Sequence, residues 1–192
     1  MHLQVKIEVT GRHIHLSQKD QDVLFGQGYE LKLFKKMTQP GQFASQETVK
    51  VVGPKGEFPN VRIVGPVRPE TQLDISFSDS YFLGVRSTLA FSGKLDNTAG
   101  GVIVTGPQGK VVMNRGVIVA VRHLHLDSET AKEYKLSHSQ TVAVKTTGQR
   151  PVTFNDVIIY SRSGQDNNAL HIDTDEANAA GITTGDLGDV LA

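Results

Sequence analysis

Arg12-His13-Ile14-His15-Leu16 returns later in the chain as Arg122-His123-Leu124-His125-Leu126, so one pattern, Arg-His-x-His-Leu, occurs twice. Side chains two apart on an extended strand face the same way, with Cα atoms roughly 6.5 to 7 Å apart. Two imidazoles so placed can converge on one ion, and zinc and other borderline metals favour imidazole nitrogen. Four of the seven histidines fall in these two pairs. Each pair reads as half of a metal site, the metal itself undetermined. The competing reading is an ordinary strand whose outer face carries two imidazoles.

Further ligands lie elsewhere in the sequence. His171, in Leu170-His171-Ile172-Asp173-Thr174-Asp175-Glu176, sits on an extended stretch just ahead of a helix start and can complete a three-histidine site with His123 and His125. Alternatively it only packs, while Asp173 caps the helix. The stretch Val61 to Asp74 sets Arg62, Arg68 and Asp74 around a Gly65-Pro66 turn. Arg68, flanked by turn residues, is expected to be exposed. Its planar fork suits bidentate binding of phosphate or carboxylate, and Asp74 can serve as a hard oxygen ligand. A surface salt bridge from Arg68 to Glu70 or Asp74 is the alternative. His2 and His138 read as bystanders. The sequence contains no Gly-x-Gly-x-x-Gly, P-loop or Gly-x-Ser-x-Gly pattern, so nucleotide hydrolysis and serine-hydrolase chemistry find little support.

The elements that must carry these residues are short. Val/Ile-rich runs at Leu3 to Val9, Thr48 to Val52, Val61 to Val64, Val102 to Thr105, Val117 to Arg122, Thr141 to Lys145 and Val157 to Tyr160 read as strands. Turn signals such as Gly53-Pro54-Lys55-Gly56 and Gly106-Pro107-Gln108-Gly109 separate them. The pattern predicts an all-β chain of barrel or sandwich class with short helices. Helix starts follow both histidine pairs, at Ser17 and at Asp127 or Ser128, and a third lies at Asp173 or Thr174 with a stop at Gly181. A repeated unit of strand, paired histidines and helix suggests two related barrels.

Composition narrows the partners. With 192 residues, 38% hydrophobic and 21% charged, the chain is ordinary for a globular protein, and its 20 basic residues balance its 20 acidic ones. No overall field favours nucleic acid or an anionic membrane, so a small molecule is the expected partner. No stretch approaches the roughly 20 apolar residues of a membrane span. There is no cysteine, which excludes disulfides, thiolate ligands and a cysteine nucleophile.

Taken together, Gly11-Arg12-His13-Ile14-His15-Leu16-Ser17, Thr38-Gln39-Pro40-Gly41-Gln42-Phe43-Ala44, Asn60 to Arg68, Ala120 to His125 and His171 to Ala179 closely resemble the phosphate propanoyltransferases of propanediol utilisation. The resemblance implies two β-barrel domains with capping helices, a discontinuous one of residues 1–11 plus 121–192 and a second of residues 12–120. It implies two zinc ions, one at His13, His15 and Asp74 and one at His123, His125 and His171, with Arg68 on phosphate. The implied reaction takes a short-chain acyl-CoA, propanoyl-CoA or acetyl-CoA, and phosphate to acyl phosphate and coenzyme A, in a homodimer. Asp74 stands where that family has glutamate, Ala90 where it has arginine, and Phe77 where a basic or polar residue is common. These departures motivate the alternative of a metal- and CoA-binding homologue with altered or no turnover. The sequence opens at the first strand without the N-terminal extension of microcompartment-targeted members, so cytoplasmic residence is expected, with encapsulation by another route left open.

Overall fold

The computed structural model describes residues 3–161 and 168–191; His2 lies outside them. In chain order the elements are β1 (Leu3–Thr10), β2 (His13–His15), α1 (Gln18–Phe25), β3 (Leu33–Lys36), β4 (Phe43–Val52), β5 (Glu57–Gly65), β6 (Gln72–Asp74), α2 (Phe77–Leu83), β7 (Thr88–Ala90), β8 (Val102–Thr105) and β9 (Lys110–Met113). They continue with β10 (Val117–Ala120), β11 (His123–Leu126), α3 (Ser128–Glu133), β12 (Thr141–Thr146), β13 (Thr153–Ser161), β14 (Ala169–Asp173), α4 (Thr174–Ala180) and β15 (Leu187–Leu191). The chain divides into two compact units, residues 1–11 with 121–192 and residues 12–120.

In the discontinuous unit six strands close into a barrel in the order β1-β14-β11-β13-β12-β15. Alternation drives it. Leu3, Val5 and Ile7 of β1 are buried while Gln4 and Lys6 are exposed. Leu124 and Leu126 of β11 and Leu170 and Ile172 of β14 enter the same core. Because the side-chain period of a strand is two, His123, His125 and His171 are left on the opposite face. Ala131 of α3 and Ala177 and Ala180 of α4 complete the core. Gly181, at φ 64°, ends α4 in the left-handed conformation that glycine adopts without cost.

In the unit of residues 12–120, nine strands form one sheet, paired in the order β7-β10-β6-β2-β5-β4-β8-β9 with β3 added on β4. The second closed barrel expected here is not seen in this pairing. The path ends on strands of three and four residues, β7 and β9, which carry outward-facing Leu89 and Val112. Ile14, Ile63 and Leu73 fill the core beneath, so His13, His15, Gln72 and Asp74 share the other face.

The two Gly-Pro-x-Gly turns have a common task. Lys55 N–H donates to the Leu83 carbonyl at the end of α2 (2.9 Å), and Gln108 N–H to the Leu24 carbonyl near the end of α1 (3.0 Å). Each satisfies a helix C-terminal carbonyl that has no partner within its own helix. A Cβ on Gly53 would stand 2.3 Å from the Leu83 oxygen, and one on Gly106 2.5 Å from the Leu24 oxygen.

Candidate metal centres and an anion pocket

Both histidine pairs are held in the same way. β2 lies between β5, parallel, and β6, antiparallel, with His13 opposite Asp74. β11 lies between β13, parallel, and β14, antiparallel, with His123 opposite His171. The third candidate ligand thus comes from the antiparallel neighbour, directly across from the first histidine. The ligand atoms of His13, His15 and Asp74 all lie within 4.8 Å of one another, as do those of His123, His125 and His171.

Within the first cluster, Asp74 Oδ2 stands 3.5 Å from His13 Nε2 and 4.0 Å from His15 Nε2. The aspartate, one methylene shorter than a glutamate, therefore still reaches the histidine pair. His15 Nδ1 lies 2.9 Å from the Val64 carbonyl and donates to it, which leaves Nε2 with its lone pair toward the cluster. In the second cluster His123 Nδ1 makes the same kind of bond to the Val121 carbonyl (2.8 Å). The three rings are evenly spaced, with centroids 5.0 to 5.1 Å apart. One set of two imidazoles and a carboxylate and one of three imidazoles, each with one Nδ1 held on a backbone carbonyl, fit the preferences of zinc.

Burial holds the His15 imidazole well below its ordinary pKa, and the neighbouring His13 and Arg68 push the same way. The ring is neutral near pH 7 and available as a ligand. In metal-free protein the unfolded chain binds a proton at His15 near pH 6.5 that the folded chain refuses, so the contribution is lost as pH falls. Urea midpoints measured at pH 7.5 and 5.5 are expected to drop on acidification, and to drop less in His15→Gln. Equal drops in the two proteins would show that His15 is not the group responsible.

The two motif arginines share a second task. Arg12 forks onto the Asp79 carboxylate through Nε (3.0 Å) and Nη2, with its guanidinium carbon 4.1 Å from the Phe58 ring centroid. Arg122 Nε pairs with Glu176 (3.1 Å), and its guanidinium carbon lies 5.5 Å from the Phe154 centroid. Asp79 and Glu176 are the third residues of helices closed by capping boxes, with Ser76 and Asp173 as N-caps. Those caps fall two residues after Asp74 and His171. Each arginine therefore ties its histidine pair to the helix that follows the third ligand.

Arg68 is half-buried rather than exposed. Its backbone N–H donates to the Leu16 carbonyl just past β2 (2.9 Å), which fixes it beside His15. Its Nη1 donates to Ser92 Oγ (2.9 Å), and burial lowers its pKa while the Asp74 carboxylate opposes that shift. Glu70 pairs with Arg115 (2.6 Å) rather than with Arg68, the partner that the alternative reading gave it. A pocket lined by His15, Pro40, Gly41, Gln42, Gly65, Pro66 and Arg68 opens beside the first cluster. The turn leading to Arg68 contains a cis Gly65-Pro66 bond.

Sequence reasoning missed Gln72. Fully buried on β6, it donates from Nε2 to Asp74 Oδ2 (2.7 Å) and to Ser92 Oγ (2.9 Å), and its Oε1 accepts from the Gly93 N–H (2.7 Å). It links the carboxylate to the serine that holds Arg68. The available signal was its position two residues before Asp74 on the same strand face. Phe77, more than half exposed, opens α2, and Ala90 pairs with Ala120 on β10. His138 stacks near Tyr160 at 5.8 Å between ring centroids and accepts from the Ser161 N–H, and it belongs to neither cluster.

Residues 6–183 match the phosphate propanoyltransferase family. The chain is 47% identical to a phosphate propanoyltransferase of Thermotoga maritima, over 94% of this chain and 86% of that one. It is 44% identical to that of Enterococcus faecalis over 97% and 87%, and 45% identical to that of Rhodopseudomonas palustris over 96% and 80%. Matched along nearly its whole length by the family and by relatives this close, the chain belongs to the phosphate propanoyltransferases, a family of acyl-transferring enzymes.

Proposed function

We propose that the protein transfers a short acyl group, propanoyl or acetyl, from coenzyme A to phosphate, with one zinc ion at His13, His15 and Asp74 and another at His123, His125 and His171. The observation that carries the reading is Arg68, half-buried and fixed beside His15 and the pocket. Its guanidinium can hold phosphate in two parallel charge-assisted bonds and offset the charge that builds as the phosphate oxygen approaches the carbonyl carbon. Holding the nucleophile in line is a large part of the rate gain in such a transfer. The new C–O bond forms as the C–S bond breaks, and the thiolate leaves to be protonated as free coenzyme A. Zinc, when bound, supplies a Lewis acid for the carbonyl or the departing sulfur. With no cysteine and no serine elbow in the chain, acyl transfer runs directly between the two bound substrates.

A homodimer belongs to this reading. Exposed Phe77, Tyr81 and Phe82 on α2 give it an apolar face that a second copy can cover. Cytoplasmic residence goes with it, inside or outside a microcompartment. Among the described residues no helix is long and apolar enough to cross a membrane. Purified zinc-loaded protein is expected to release free thiol from acetyl-, propanoyl- or butanoyl-CoA only when phosphate is present. No phosphate-dependent release from any of the three would end the enzymatic reading and leave the binding-only alternative.

A further inference from the structure

The hydroxyl that holds Arg68 is constrained on every side but one. Ser92 lies two residues past β7, in a turn closed by the Lys94 N–H on the Phe91 carbonyl (2.9 Å), with Gly93 at φ 83°. The Gly93 N–H donates to Gln72 Oε1 (2.7 Å). A backbone N–H can only donate, so that atom of the buried amide is its oxygen, and the NH2 group is the one that faces Asp74 and Ser92. Turning the amide round would set donor against donor.

Ser92 Oγ therefore receives two hydrogen bonds, from Gln72 Nε2 (2.9 Å) and from Arg68 Nη1 (2.9 Å). A hydroxyl oxygen has two lone pairs and one proton. With both lone pairs taken, the proton is left the one remaining direction, away from both donors, and among the described residues nothing accepts it. Ser92 is exposed, so an acceptor can come from outside. The Arg68 guanidinium is in a matching state, since its bond to Ser92 engages Nη1 alone and leaves the other arms of the fork for an anion.

We propose that Ser92 is a second phosphate-binding group, which donates its hydroxyl proton to a phosphate oxygen while Arg68 grips the anion through its remaining N–H groups. The assignment rests on the reading of Arg68 given above. Gln72 acts through Ser92 as a positioning residue, because a hydroxyl that already accepts twice can meet a ligand only as a donor. The ligand so selected is an oxyanion, whose oxygens are acceptors and strengthen the bond by their charge. A group that brings only donors, such as an ammonium, finds no lone pair here.

The test compares zinc-loaded full-length wild type, Ser92→Ala, Arg68→Ala and the double variant, each read as the initial slope of thiol release against phosphate concentration, which stays measurable without saturation. A serine that only holds Arg68 has nothing left to do once the arginine is gone, whereas one that touches phosphate still contributes. Ser92→Ala is expected to lower the slope about 10- to 100-fold when introduced into wild type, the range for a hydrogen bond to a charged group. In the Arg68→Ala background it is expected to lower the slope about fivefold or more. Phosphate dissociation constants from calorimetry, without acyl-CoA, should show that Ser92→Ala binds phosphate more weakly than wild type. A slope in Ser92→Ala within twofold of wild type would overturn the proposal. So would a double variant no slower than Arg68→Ala, which would leave the serine acting on the arginine alone. If wild type releases no thiol with phosphate, or Arg68→Ala keeps the full slope, the reading of Arg68 itself fails and the role of Ser92 with it.

Discussion

Arg68→Ala is expected to lower phosphate-dependent thiol release by about 10²- to 10³-fold, the range seen when one preorganised donor to a developing charge is removed. The other arginine on this stretch, Arg62, donates to the carbonyls of Ser45 and Gln46. The loss should fall on the Michaelis constant for phosphate as well as on turnover, because Arg68 both binds and orients the nucleophile. Arg68→Lys keeps the charge but loses the fork, and should recover only part of the activity. Ser92→Ala frees the guanidinium from its hydroxyl partner, so a smaller loss in the same direction is expected. Steady-state assays with phosphate as the varied substrate settle the matter: a Michaelis constant and turnover within twofold of wild type in Arg68→Ala would remove this residue from the phosphate site.

Stripping metal is expected to cost more. Lewis-acid stabilisation is worth several kcal/mol, which corresponds to about 10³-fold or more in rate. Chelator-treated protein should therefore be nearly inactive and should recover when zinc is returned. Elemental analysis is expected to find two equivalents of zinc per chain, falling to one in Asp74→Ala. Because an ion that binds only the folded state stabilises it, the stripped protein should also melt earlier. Full activity without metal would refute the zinc-dependent mechanism, and two tightly held equivalents in Asp74→Ala would remove that carboxylate from the ligand set.

Much of this arrangement was legible in the sequence because it depends on local periodicity. Strand alternation predicted that His13 and His15, and His123 and His125, would share a face, and Ser17, Asp127 and Asp173 are the observed caps. The strand expected at Val117 to Arg122 ends at Ala120 instead. What local pattern could not show was long-range pairing. Gln72-Leu73-Asp74 has little β-branched content and is a strand because Leu73 is fully buried and β10 and β2 flank it. The half-burial of Arg68 depends on Ser92, 24 residues away, and turn residues on either side pointed to exposure. Likewise, Arg12 sits beside its histidines in sequence, yet its partner Asp79 is 67 residues on. The Ser76-x-x-Asp79 pattern was the one readable sign of α2 and of that pairing.

The split of the closed barrel bears on how the chain comes to be folded during synthesis. β1 is made ahead of the other described strands, yet its two neighbours are β14 and β15. Residues 12–120 carry their own core and can condense as they leave the ribosome. Throughout that time Leu3–Thr10 is a strand with both edges unpaired and with three apolar side chains awaiting a core, which is the condition under which strands add to the wrong partner. Only when residues 169–191 have been translated can the segment find its place. Production yield at high expression should thus be set by how long that first segment waits rather than by how stable the finished barrel is.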